Sequence, residues 1–189
     1  MKSHQTILSK RMAALLMLTA IFTAPTSALA QNLKPGQVDV KVIDKAAQPY
    51  IEAKGVFDAP PDKVWRALTD FPNYTRYYES VVQSEVRARQ GNQAKVYVKF
   101  DFPFPVNTVW VLNQYTLDNA NKRLSWKMLD GNLKDSAGDG SWSLKPYQGK
   151  TLGTYRLNLK GSGAGGWLQK QAVLNTTPAV FKHLNQQIR

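Results

Sequence analysis

Two periodicities divide the chain. From residue 95 onward, apolar and polar positions alternate with the two-residue period of half-buried strands. Val96, Val98, Phe100 and Phe102 alternate with Lys95, Tyr97, Lys99 and Asp101, and Leu124, Trp126 and Met128 with Arg123, Ser125 and Lys127. Trp142 and Leu144 alternate with Ser141, Ser143 and Lys145, and Tyr155, Leu157 and Leu159 with Arg156, Asn158 and Lys160. Short turns at 89–92, 119–122 and 148–150 separate these runs, so the strands are hairpin-connected and antiparallel, with one apolar and one polar face. Val38, Val40 and Val42 suggest an earlier strand, and residues 50–57 another. The end of the chain has a different period. Trp167, Leu174, Phe181 and Ile188 recur every seven residues, with Leu184 between the last two, which predicts a helix with an apolar stripe. Pro178 predicts a kink or two segments there, the second capped by Thr177. Asp58 and Asp62 flank two prolines ahead of residues 63–68, predicting a short helix with an aspartate cap, and residues 74–79 form another short helix or turn. The sum is an α+β plan in which only the last helix is long enough to cover the apolar sheet face.

The first thirty residues change the picture of where this happens. Lys2, Lys10 and Arg11 precede an uncharged apolar run over residues 12–24, and Ala28-Leu29-Ala30 follows. This is the order of a bacterial export signal with cleavage after Ala30, and its apolar run is shorter than the ~20 residues that span a bilayer. The expected location is the periplasm or beyond. The whole chain has 25 Lys and Arg against 13 Asp and Glu, a net charge of +12. Three of the basic residues lie in the signal, so a mature chain of 159 residues keeps 22 against 13, or +9. Charge alone admits nucleic acid or an anionic membrane as partner; export excludes nucleic acid. With no cysteine, disulfides, thiolate metal sites and thiol nucleophiles are excluded.

Motifs for catalysis or cofactors are thin. Residues 161–166 (GSGAGG) match G-x-G-x-x-G between a strand and a helix. No second parallel strand follows, and no acid follows Asp139 to hold a ribose, so the glycines read as a joint before the helix. Asp130, Asp135 and Asp139 lack the spacing and closing glutamate of a calcium loop. His183 is the one histidine after the signal, flanked by Lys182 and Leu184, and no carboxylate falls at an inward strand position. No cofactor and no metal are expected.

The positive signal is aromatic. Phe100, Phe102, Trp126, Trp142 and Tyr155 fall on the same inward face, Met128 lies beside Trp126, and Trp110 joins them if Val106, Thr108 and Leu112 share that face. The rings either fill a core beneath the last helix or line a cavity for an apolar ligand. The opposite face collects Lys95, Lys99, Arg123 and Lys127, a basic surface suited to transient contact with anionic lipid.

Five stretches together resemble the START-like helix-grip superfamily, especially its polyketide cyclase/dehydrase and coenzyme Q-binding branches. They are residues 55–65 (GVFDAPPDKVW), 68–74 (LTDFPNY), 104–106 (FPV), 140–146 (GSWSLKP) and 153–155 (GTY). The resemblance covers and implies one domain over 50–189, which follows the signal at 1–30 and an extension or extra strand at 31–49. In that domain about seven antiparallel strands wrap the C-terminal helix around a tunnel for lipids, sterols, quinones or polyketides. Where many relatives carry an arginine soon after the equivalent of Pro105, this chain has Asn107-Thr108-Val109-Trp110 and so no arginine there for a headgroup contact. The expected function is a monomeric periplasmic carrier of a hydrophobic molecule. Phe100, Phe102, Trp110, Trp126, Met128, Trp142 and Tyr155 line the sheet side, Tyr74, Tyr77 and Tyr78 come from the entrance helices, and Phe181 from the lid helix. A cyclase/dehydrase-type enzyme and a structural envelope protein with a filled core are the alternatives.

Overall fold

A computed structural model describes residues 33–44, 49–102, 108–132, 138–158 and 163–188. Residues 1–30, whose pattern reads as an export signal, the 104–106 stretch with Asn107 and the start of the glycine run lie outside the described residues. Eight strands form one antiparallel sheet: β1 (Val38–Ile43), β2 (Tyr50–Phe57), β3 (Val81–Gln90), β4 (Gln93–Asp101), β5 (Thr108–Asp118), β6 (Arg123–Gly131), β7 (Gly140–Tyr147) and β8 (Lys150–Asn158). The order is β1-β2-β8-β7-β6-β5-β4-β3. Seven strands follow from the resemblance alone, and the eighth is the extension strand β1, paired with β2 from Val38 opposite Gly55 to Ile43 opposite Tyr50.

Turn chemistry sets the hairpins. Gln148 and Gly149 take φ of 48° and 73° between the paired Tyr147 and Lys150, the left-handed conformations that a two-residue connection requires. Gly91 at φ 55° does the same between Gln90 and Gln93. Between β2 and β3 the chain runs through α1 (Pro61–Thr69), a 3-10 turn at Phe71–Asn73 and the single turn α2 (Tyr74–Tyr77). Pro61 starts α1 at its first position, where a missing N–H costs nothing. The expected aspartate cap is absent: Pro60 occupies the cap position, Asp58 pairs with Lys150 at 2.7 Å and Asp62 with Lys122 at 2.8 Å. Both carboxylates find a lysine across the fold.

The last helix, α3 (Gly163–Gln187), runs unbroken through Pro178 rather than in two segments, and Gly163 to Gly166 are its first residues rather than a joint. Pro178 withdraws one N–H from the helical ladder. Thr177, buried at that point, does not cap a restart; its hydroxyl donates to the Val173 carbonyl one turn back, at 2.6 Å. Burial holds the helix down beyond the proline, where Phe181, Leu184 and Ile188 are in the core. Asn185, also buried, accepts the Asp58 N–H at 2.8 Å and locks this end of α3 to the start of the β2–α1 connection.

Candidate ligand-binding site

The gap between the sheet and α3 has two unlike ends. At one end Phe57, Val64, Leu68, Leu124, Trp142, Phe181 and Leu184 are sealed from solvent. Phe181 stacks on Phe57 with ring centres 5.3 Å apart and packs against Trp142 at 4.8 Å. Gly55 and Gly153 make room for this stack, since a Cβ on Gly55 would lie 2.6 Å from Phe181 Cδ1. At the other end Tyr78, Val86, Phe100, Phe102, Trp126, Met128 and Tyr155 pack against the core but are only half-buried. Cross-strand pairing puts most of these on the inward face: Phe100 opposite Val109, Val86 opposite Val96, and Trp142 opposite Tyr155. Inward large side chains that retain exposed surface mean that protein atoms leave this end incompletely filled.

An unbroken run of ring contacts joins the two ends. Tyr78 meets Tyr74 at 4.8 Å, Tyr74 meets Phe71 at 5.5 Å, and Phe71 meets Tyr115 at 4.7 Å. Tyr115 meets Trp126 at 6.1 Å, Trp126 stacks near Tyr155 at 5.7 Å, and Tyr155 meets Trp142 at 5.1 Å. These are the tilted and offset separations that aromatic quadrupoles favour. Phe100 and Phe102 form a separate stacked pair at 5.7 Å.

Polar groups collect in the middle of this run. The Tyr74 hydroxyl donates to the Leu68 carbonyl at 2.7 Å and shares hydrogen bonds with the Tyr78 and Tyr115 hydroxyls. Asn113 reaches the Tyr115 oxygen with its amide nitrogen at 3.4 Å. Burial, which penalises the charged phenolate, pushes Tyr115 up to about 12 and moves Tyr74, Tyr78 and Tyr155 well above their ordinary value. All four hydroxyls are therefore neutral donors at neutral pH.

The sequence-derived site residues separate into groups. Tyr78, Phe100, Phe102, Trp126, Met128 and Tyr155 share the half-open end. Tyr74, Trp142 and Phe181 are buried in the core that flanks it. Tyr77 lies outside it, its hydroxyl on Asp70 at 3.4 Å, lining a surface cleft of about 600 Å³ with Lys63, Arg66, Arg76 and Ile188. Trp110 points the other way. It pairs with Lys99 on the outer face and stacks on Tyr97 at 5.9 Å, while Val109, Val111, Asn113, Tyr115 and Leu117 face inward. Thr108 and Leu112 do share its face, but that face is the outer one. Four apolar residues in a row at 109–112 hide the alternation, so pattern could not fix the parity of this strand. Asn113 and Tyr115 were missed for the same reason. The available signal was the 119–122 turn, which sets Leu117 opposite the inward Leu124 and carries Tyr115 and Asn113 inward with it.

On the outer face Lys95, Arg123 and Lys127 are exposed and Lys99 is half-buried, and none of the four has an ion-pair partner among the described residues. Arg87 packs over the Tyr97 ring at 5.3 Å and pairs with Glu85 at 2.8 Å. Leu129, which falls between the paired Met128 and Asp130 at a register shift opposite Leu112, is exposed. A shallow groove of about 540 Å³ is lined by Gln114, Arg123, Lys127 and Arg156 of this face and also reaches Trp126 and Gly140. Among the described residues no group of acids and histidines could hold a metal ion, and no helix is long and apolar enough to cross a membrane.

The architecture recurs in solved structures. A STAR-related lipid transfer protein from Xanthomonas axonopodis is 19% identical with a TM-score of 0.61, over 80% of this chain and 92% of that one. The Zhui aromatase/cyclase from a Streptomyces species is 16% identical with a TM-score of 0.61, over 73% of this chain and 92% of that one. Human STARD10 is 13% identical with a TM-score of 0.65, over 86% of this chain and 74% of that one. At these identities the likeness is one of fold, the helix-grip fold. No curated protein matches the chain. Residues 49–187, nearly the whole of the described domain, match a family defined at sequence level, and the chain belongs to it: polyketide cyclase / dehydrase and lipid transport.

Proposed function

We propose that the protein is a periplasmic carrier that holds a hydrophobic small molecule between its sheet and α3. One observation carries this: Phe100, Trp126, Met128 and Tyr155 point into the gap yet stay half-buried, whereas Trp142 and Phe181 at the other end are sealed. A structural protein with a filled core would seal both ends, because exposed inward apolar surface forgoes ~25 cal/mol per Å². An apolar ligand laid against these rings recovers that burial, less the cost of association. The periplasmic location rests on the export pattern of residues 1–30. The test is native mass spectrometry with lipid extraction of protein purified from the periplasm. A co-purifying apolar molecule supports the carrier. Protein recovered empty, whose urea midpoint does not move when lipid extract is added, overturns it.

The outer face gives such a carrier a way to reach its cargo. Lys99 lies opposite Trp110, Lys95 and Lys127 are opposite Gln114 on the same face, and Leu129 is exposed nearby. Aromatic rings among basic residues suit the headgroup layer of an anionic bilayer, where each cation contributes about 1 kcal/mol. In this reading Trp110 serves the ligand from outside, as an anchor, not from the wall of the site.

A further inference from the structure

The carrier reading leaves open what the cargo looks like at its polar end, and Tyr155 bears on that. Its ring is held between Trp126 and Trp142, 5.7 and 5.1 Å away. Its hydroxyl has no hydrogen-bond partner among the described residues, and the residue is only half-buried. A phenol O–H with no protein acceptor, beside half-buried rings, is a donor that a ligand oxygen can take. Beside it, the Tyr74, Tyr78 and Tyr115 hydroxyls already satisfy one another, with Asn113 on Tyr115 only at the long distance of 3.4 Å. Tyr155 is the free donor of the group, and it faces the half-open end.

What the surroundings lack decides the charge of its partner. No Lys, Arg or His occupies an inward position of β4 to β8 among the described residues; the cations of these strands all point outward. The same burial that disfavours a phenolate at Tyr78, Tyr115 and Tyr155 disfavours any other anion placed among them. A carboxylate or phosphate there would lose its hydration and find no countercharge on the inward face of β4 to β8. A neutral oxygen would lose little and accept the Tyr155 proton.

Resting on the carrier reading, we propose that the site selects an apolar molecule bearing a neutral oxygen acceptor, an alcohol, ester or ketone, and discriminates against the same chain ending in an anion. Tyr155 is the residue that reads this group, donating its hydroxyl hydrogen to the ligand oxygen, with Asn113 and Tyr115 behind it.

The probes are four pyrene-labelled dodecyl chains ending in an alcohol, a methyl ester, a carboxylate or a plain methyl group, titrated at pH 7.5 and followed by pyrene fluorescence. The alcohol and ester should bind at least ten-fold more tightly than the carboxylate. Tyr155→Phe should weaken the alcohol and ester about five- to ten-fold and leave the methyl-ended chain unchanged. That last readout separates loss of a hydrogen bond from loss of packing, and urea unfolding of the variant confirms that its stability is retained. A carboxylate that binds as tightly as the alcohol, or a Tyr155→Phe variant that binds all four as wild type does, overturns the selection while leaving the carrier standing. Failure of all four chains to bind overturns the carrier reading and this inference with it.

Discussion

Phe181 occupies the space that a side chain at Gly55 would need: its Cδ1 lies 2.6 Å from where a Cβ would be built. The ring cannot step aside, because Phe57 stacks on it with planes only 9° apart and Trp142 closes in at 4.8 Å. Gly55 therefore sets how closely α3 approaches β2. Gly55→Ala should destabilise the domain by about 1–3 kcal/mol through overpacking, read as a lower urea midpoint. An unchanged midpoint would mean that the helix can shift at no cost.

The two ends of the gap should respond differently to truncation. Trp142 is buried among Phe57, Tyr155 and Phe181, so Trp142→Ala should cost ~3–5 kcal/mol of stability. Trp126 is already half-exposed, and Trp126→Ala should cost less, about 1–2 kcal/mol, while weakening ligand binding more than the Trp142 change does. Urea unfolding beside pyrene-alkane titration separates the two. If Trp142→Ala alone affects binding, the ligand sits at the sealed end.

Alkaline pH should open the tyrosine cluster. Burial raises the Tyr115 phenol from its ordinary value near 10 to about 12, and Tyr155 is raised as well. Between those pH values the folded chain keeps protons that the unfolded chain has released, so stability falls as pH rises, by about 1.4 kcal/mol per pH unit for each such group. Below about pH 10 these groups add no slope. Urea midpoints taken at pH 8, 10 and 11 should fall steeply over the last interval, and less so for Tyr115→Phe. Equal slopes in the two proteins would contradict the burial of this hydroxyl.

Membrane contact should depend on salt and on the outer face alone. Wild type should co-sediment with anionic vesicles at 0.01 M salt and release by 0.15 M, as the Debye length shrinks from ~30 Å to ~8 Å. A Lys95→Glu, Lys99→Glu, Lys127→Glu variant should not bind at either concentration. Trp110→Ala should bind more weakly at low salt without losing stability beyond about 1 kcal/mol, since Trp110 is only half-buried on the outer face. Equal, salt-independent binding by all three proteins, or none by wild type at 0.01 M, removes the membrane role.

Most of the sheet is legible in the chain because a two-residue period and short turns are both local signals. Val96, Val98, Trp126 and Tyr155 fall on the inward face that their alternation assigns. Where the local signal is ambiguous, neighbouring strands decide. Val109 to Leu112 read equally well in either phase, and only pairing with β4 and β6 turns Trp110 outward and Tyr115 inward. The aspartates around Pro60 have ordinary capping chemistry, but Lys150 and Lys122 arrive from distant turns and take both carboxylates. Pro178 breaks an isolated helix; with Phe181, Leu184 and Ile188 buried beyond it, tertiary packing keeps α3 whole. The division of the gap into a sealed and a half-open end has no sequence signature at all, because the same kinds of ring line both.

For the carrier proposed above, that division would make the cargo a part of the architecture. At the end lined by Phe100, Trp126 and Tyr155 a bound molecule supplies the contacts that Phe181 and Trp142 supply at the other. An empty domain is then a protein with half a core, and a loaded one is complete. Occupancy raises folding stability by RT ln(1 + [L]/Kd), about 2.7 kcal/mol at a hundred-fold excess over Kd. The gain is local: backbone amides of β4 and β6 should exchange their hydrogens faster in the empty state, while those around Phe57 exchange alike in both. Proteases that sample such openings would clear empty carriers before loaded ones, so the level of the protein would follow the supply of its ligand without any dedicated sensor.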